Sequence, residues 1–250
     1  MNQLEGKVAI VTGAASGFGE GIARLFAAEG ARVVVADLDA ARGQAVAAAL
    51  GESALFSRCD VSSRRDIDAL VEACTGRFGV PDIVVNNAGM THENQPMLNV
   101  DEQTFDRMFA VNVKSIYHMA HAVVPLMRKR RKGVILNVGS TAGIRPRPGL
   151  TWYNASKGAV NLLSKAMAVE LGPDGIRVNA ICPVIGETNM TQRLMGVADT
   201  PENRAKFMAT IPLGRYCRPS DVAAAALYLA SDAAEFITGV EFPVDGGRTA

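Results

Sequence analysis

Seven short, nearly continuous apolar runs, separated by longer helical stretches, constrain the fold of this chain more than any other feature. The runs are VAIVTG (8–13), RVVVAD (32–37), ALFSRCDV (54–61), DIVVNNAG (82–89), GVILNVGS (133–140), IRVNAICP (176–183) and GVEFPVDGG (239–247). Strands that read as apolar throughout are buried on both faces, the habit of a parallel sheet. Between them lie stretches such as FGEGIARLFAAEG and RRDIDALVEACTGRFG, apolar at helical spacing. This alternation predicts an α/β fold: a Rossmann-like, doubly wound parallel sheet of seven strands with helices on both faces. At 250 residues, one domain over 1–250 is expected. The long irregular stretch at about 184–215 reads as a substrate-binding loop region.

Composition narrows the classes. A net charge of +1 argues against nucleic-acid or anionic-membrane surfaces. The basic run Arg128 to Lys132 ends a helical pattern, where cations suit the helix dipole. No stretch approaches the length and apolarity of a membrane span. Cys59, Cys74, Cys182 and Cys217 form no CxxC, and the first residues show no secretory signal. A soluble cytoplasmic protein is expected. His118 and His121 share a helix face without a third ligand, so no metal site is expected.

The first run opens into TGAASGFGEGIA, with Gly13, Gly17 and Gly19 at a strand-to-helix turn and Ser16 and Phe18 between them. Glycine permits a tight turn and close approach of backbone N–H groups to a pyrophosphate. Asp37, followed by Leu38, ends the next run, where a carboxylate accepts from ribose hydroxyls. It also repels a 2′-phosphate, by about 3 kcal/mol per unit charge at ~5 Å and an effective dielectric of ~20. NAD is therefore expected over NADP. Asp60, Val61, Asn87, Ala88 and Gly89 end the third and fourth runs, on the sheet edge where open α/β folds bind ligands.

The stretch TWYNASKG holds Tyr153 and Lys157 one helical turn apart. Lowering a phenol by ~3 units from its pKa of about 10 needs roughly 4 kcal/mol. One positive charge at ~4 Å with an effective dielectric of ~20 supplies about that much. Lys157 is thus expected to make Tyr153 acidic.

Together these residues resemble the short-chain dehydrogenase/reductase family over the whole chain. Thr12-Gly13-x3-Gly17-x-Gly19 is similar to its cofactor loop, and Asn86-Asn87-Ala88-Gly89 to its second signature. Asn112, Ser140, Tyr153 and Lys157 resemble its catalytic tetrad, with Ser140 thirteen residues before Tyr153. The resemblance implies an NAD-dependent oxidoreductase acting on CH–OH groups. Tyr153 would be general acid/base, Ser140 the substrate-oxygen partner, Lys157 a ribose ligand and Asn112 the holder of a relay water. Pro183, Thr188 and the backbone near Ile185 would meet the carboxamide. One departure is Val184, where the family usually has glycine. RPRPGLTWYNASKG with PVIGET resembles a subgroup that oxidises aryl-substituted alcohols and diols. His92, Glu93, Arg145, Trp152, Ile185, Asn189, Met190 and Met195 are the expected pocket lining, suited to a small secondary alcohol with an apolar or aromatic body. A reductase of acyl groups on a carrier protein, drawing on Arg145 and Arg147, a sugar 1-dehydrogenase and an inactive NAD-sensing or scaffold protein are the alternatives. The helical stretches at about 101–131 and 152–171 carry surplus apolar residues: Met108, Phe109, Ile116, Met119, Leu162 and Met167. The family pairs these helices across a two-fold axis, which implies a homotetramer.

Overall fold

The computed structural model describes residues 2–188 and 190–250. Its strands are β1 Val8–Thr12, β2 Arg32–Asp37, β3 Ala54–Arg58, β4 Ile83–Asn86, β5 Gly133–Val138, β6 Ile176–Pro183 and β7 Glu241–Val244. All pair in parallel, in the order β3-β2-β1-β4-β5-β6-β7. The helices are α1 Gly17–Ala28, α2 Ala40–Leu50, α3 Arg64–Phe78, α4 Glu102–Phe109, α5 Ser115–Arg130, α6 Thr151–Leu171, α7 Thr191–Met195, α8 Pro201–Met208 and α9 Pro219–Ala230. Several start where the sequence supplies a cap. Asp39, Ser63, Asp101 and Thr200 each accept a backbone N–H of the following turn.

Two cores cover the two faces. On one, Ile22, Phe26 and Leu229 from α1 and α9 pack on Val11, Val33 and Val85. On the other, Ile67, Leu70, Val123 and Met127 from α3 and α5 pack on Ile10, Val34 and Val84. The helices α1 and α9 touch closely because Gly21 has no Cβ; one there would lie 2.9 Å from Pro219 Cβ. The basic run at the end of α5 ties the helix down: Arg128 pairs with Asp174 at 2.6 Å and Arg130 with Asp82 at 2.6 Å.

Three expectations need correction. The apolar runs predict strands reaching residues 13, 61, 89, 140 and 247, but those strands end earlier. The tails of β1 and β4 bond each other across the carboxyl edge of the sheet, through Thr12, Gly13, Asn87 and Ala88. The stretch 101–131 is helical without a break from 102 to 130, but not α throughout: a π turn at Ala110–Lys114, centred on Asn112, joins α4 to α5. Region 184–215 contains α7 and α8 rather than irregular chain alone. Of the surplus apolar residues, Met108, Ile116 and Met119 are buried within the chain, while Leu162 on α6 is 68% exposed. Among the described residues, no helix is long and apolar enough to cross a membrane.

Candidate active site

The sheet order reverses direction between β1 and β4, and the crevice at their carboxyl ends is built by hydrogen bonds between the two loops. Asn87 Nδ2 donates to the carbonyls of Thr12 at 2.8 Å and Gly13 at 3.1 Å. Thr12 Oγ1 accepts from the N–H groups of Asn87 and Ala88 at 3.0 and 3.1 Å. Gly13 and Gly17 have φ of +65° and +58°, in the left-handed region that favours glycine. Gly19 allows close packing: a Cβ there would meet the Gly13 carbonyl oxygen at 2.2 Å. Ser16 precedes α1 without a side-chain cap, so the first-turn N–H groups of Gly17, Phe18 and Gly19 remain open to a ligand.

Gly13, Ser16, Gly17, Phe18, Asp37, Leu38, Asp60, Val61, Asn87, Ala88, Gly89 and Thr188 line one cavity here, of about 330 Å³. The Asp37 carboxylate accepts from Ala15 N–H at 2.9 Å and from Asp39 N–H at 3.0 Å, which fixes it at the rim. Arg107 lines the same cavity and escaped the sequence reading. Its guanidinium is committed to Asp60 Oδ2 at 2.9 Å and Ser62 Oγ at 2.7 Å. The glycine cradle, the open helix terminus and the rim carboxylate fit a dinucleotide.

A second cavity, of about 400 Å³, adjoins the first and shares Phe18, Asn87, Gly89, Thr188 and Met190 with it. Ser140, Tyr153 and Lys157 line it, with Pro183 and Ile185. Ser140 Oγ accepts from Ala142 N–H at 3.0 Å, which leaves its own proton available. Lys157 Nζ donates to the Val138 carbonyl at 2.8 Å. Asn112 sits in the π turn because both ends of its amide are used. Its Oδ1 accepts from Met90 N–H at 2.8 Å, and its Nδ2 donates to Met90 O and Ser156 Oγ at 2.9 and 3.0 Å. A Cβ at Gly89 would lie 3.4 Å from Asn112 Oδ1 and 3.5 Å from Lys157 Nζ, so these three residues converge.

The electrostatics correct the sequence expectation for the phenol. Burial pushes Tyr153 above the usual tyrosine range, and the Ser140 hydroxyl and the Arg147 guanidinium pull it back. The Lys157 ammonium lies 6.0 Å from the Tyr153 ring centre and points to β5. Burial brings Lys157 itself down to about 8.

The substrate side needs further correction. His92 is buried away from the cavity, its Nδ1 2.7 Å from the Glu93 carbonyl and its Nε2 without a partner among the described residues. Trp152 Nε1 donates to Met97 O at 3.0 Å, and its ring meets Phe105 edge-on. Glu93 is an exposed partner of Arg193. None of these three lines the cavity, whereas Arg145, Ile185, Met190 and Met195 do. Asn189 lies outside the described residues. Leu150, Leu194, Lys206, Phe207 and Arg248 also line the cavity and were missed, as was the placing of Arg147 inside it. Val184 is buried in the first core with its N–H on the Val244 carbonyl, so the missing glycine leaves the strand end regular.

Fold and site together define an α/β oxidoreductase. The family model described as enoyl-(acyl carrier protein) reductase matches residues 13–249. The 4-formylbenzenesulfonate dehydrogenase of Comamonas testosteroni is 51% identical over 248 residues, 98% of each chain. A 3-oxoacyl-[acyl-carrier-protein] reductase of Chlamydia muridarum is 38% identical over 98% of each. Among solved structures, 3-ketoacyl-(acyl-carrier-protein) reductase from Brucella melitensis complexed with NADH superposes with a TM-score of 0.94 at 47% identity, covering 99% of this chain and 100% of that one. The chain belongs to the short-chain dehydrogenase/reductase family.

Proposed function

We propose that the protein is an NAD-dependent dehydrogenase that interconverts a small secondary alcohol and its ketone. The observation that carries this reading is the junction of the two cavities, where Tyr153, Ser140 and Lys157 line the wall beside residues common to both. NAD, when bound, supplies the hydride acceptor. Ser140 donates to the substrate oxygen and orients it, and Tyr153 takes the hydroxyl proton. Lys157 and Asn112 form the inner end of a proton path, in which the hydrogen bonds of its amide to Met90 and Ser156 hold Asn112 in place beside a relay water. Asp37 selects NAD by repelling a 2′-phosphate, and Arg107, the one arginine among the described residues lining that cavity, is already paired with Asp60.

Met190, Leu194 and Met195 supply an adaptable apolar wall for the substrate body. The relative named for 4-formylbenzenesulfonate supports an aromatic body and brings a second reading. The hydrate of an aryl aldehyde presents a C–H and an O–H on one carbon, so Tyr153 can serve its oxidation in the same way. Region 184–215 forms the substrate side of the site, and the enzyme works in the cytoplasm as a homotetramer. Its four buried, unpaired cysteines suit a reducing compartment.

The test is a kcat/KM comparison with NAD+. It sets 1-phenylethanol-type alcohols, aryl diols and aryl aldehydes against glucose-type sugars and acyl thioesters. Aryl substrates are expected to lead; greater efficiency with a sugar or a thioester overturns the substrate class.

A further inference from the structure

The substrate-side cavity carries five cations and, among its described lining residues, no carboxylate: Arg145, Arg147, Lys157, Lys206 and Arg248. Lys157 is held on the Val138 carbonyl beside Tyr153. The others come from three separate segments: the loop before α6, helix α8 and the chain end after β7. They converge. Arg145 Nη1 donates to the Arg248 carbonyl at 3.0 Å, and Arg147 stacks on Phe207, next to Lys206, with its guanidinium carbon 4.7 Å from the ring centre.

Arg147 is half-buried, and the charged or titratable groups that act on it are Arg248, Tyr216 and Tyr153. Among the described residues that line the cavity around it, none is a carboxylate. A desolvated cation beside a second cation is costly unless an anion completes the site. Stacking covers the face of the guanidinium and leaves its N–H edge free for two parallel bonds to an oxyanion. Apolar side chains of Leu150, Leu194 and Met195 line the remaining wall.

We infer that Arg147, supported by Arg248, forms a subsite for an oxyanion, a carboxylate or sulfonate, carried by the substrate away from its reacting carbon. The inference rests on the reading of this cavity as the substrate site. The half-buried position of Arg147 favours a small acid over an acidic carrier protein, which would meet exposed rim residues.

Two measurements test it. Calorimetry on the NADH-saturated protein compares benzoate with benzamide, and steady-state kinetics compares 4-(1-hydroxyethyl)benzoate with its neutral amide. The acid is expected to lead by roughly 10- to 100-fold in both. Arg147→Met should erase that preference, Arg147→Lys should keep part of it and Arg248→Gln should reduce it, with thermal unfolding confirming that each variant folds. Equal handling of acid and amide by the unmodified protein overturns the subsite, as does an equal loss of both in Arg147→Met. A preference for acyl carrier protein over the small acid, abolished by Arg147→Met, would assign the cations to carrier docking and also overturn it. Selective benzoate binding without turnover of any aryl alcohol would leave the subsite standing and refute the dehydrogenase reading. Turnover without charge preference would do the reverse.

Discussion

Tyr153 is a general base only as a phenolate, and burial opposes that form. The Arg147 charge and the Ser140 hydroxyl favour it, so oxidation should accelerate as pH rises from neutrality, with the acid limb of kcat/KM reporting Tyr153. Tyr153→Phe removes the proton acceptor and leaves the ring packed. Turnover should fall by at least roughly a thousandfold, the scale of general acid–base catalysis, with NAD affinity nearly unchanged. Substantial residual turnover would refute the role. At the other end of the crevice, Asp37 should make NAD+ at least roughly a hundredfold better than NADP+ in kcat/KM. Asp37→Asn removes the charge but keeps an acceptor for the Ala15 N–H, so it should narrow that ratio mainly by improving NADP+. Equal use of both cofactors by the unmodified enzyme would sink the idea.

At the scale of elements, the sequence was most legible where the chemistry is local. The glycine turn, Asp37 and the Tyr153–Lys157 pair each lie within one strand–loop–helix unit, and their spacing alone brings them to the sheet edge. The substrate wall is not local. Trp152 is adjacent to Tyr153 in sequence, but a helix turns about 100° per residue, so its indole faces Phe105 and not the cavity. Phe207 and Arg248 reach the cavity only because α8 and the chain end fold back over it, which no periodicity reports. The π turn at Ala110–Lys114 was hidden for a similar reason: it answers to Asn112 bonding with Met90 and Ser156, two distant segments. Helix α6 bears on assembly. Leu162 and Val169, two turns apart, are 68% and 81% exposed, an apolar stripe that suits an isologous contact. Light scattering should find four copies of the 26.4-kDa chain, and Leu162→Asp with Val169→Asp should dissociate them. Unmodified protein that stays monomeric at micromolar concentration would count against the assembly.

The whole molecule should be sensitive to alkali. Cys59, Cys74, Cys182 and Cys217 are free and buried, and burial pushes each thiol from 9.0 up to about 12. A folded-state pKa above the unfolded value contributes stability that is complete below the unfolded pKa and is lost as pH rises toward the folded one. The window therefore opens near pH 9 and closes near 12, with a slope of roughly 1.4 kcal/mol per pH unit for each thiol. Lys157 acts the other way. Its folded value of about 8 lies below the ordinary lysine value of 10.5, so its burial penalty is relieved as pH climbs through that interval. One lysine offsets one thiol there, and four thiols outweigh it. Tyr153, also raised by burial, adds to the loss once the unfolded phenol begins to ionise. Thermal unfolding followed from pH 7 to 10.5 should show a midpoint that rises slightly between about 8 and 9, where only Lys157 acts, and falls steeply beyond 9. Cys74→Ala removes one thiol that burial and the Asp82 charge push up, so it should make that fall shallower even if it lowers the midpoint at neutral pH. A midpoint that holds steady from pH 9 to 10.5, or an unchanged slope in the variant, would refute the thiol account.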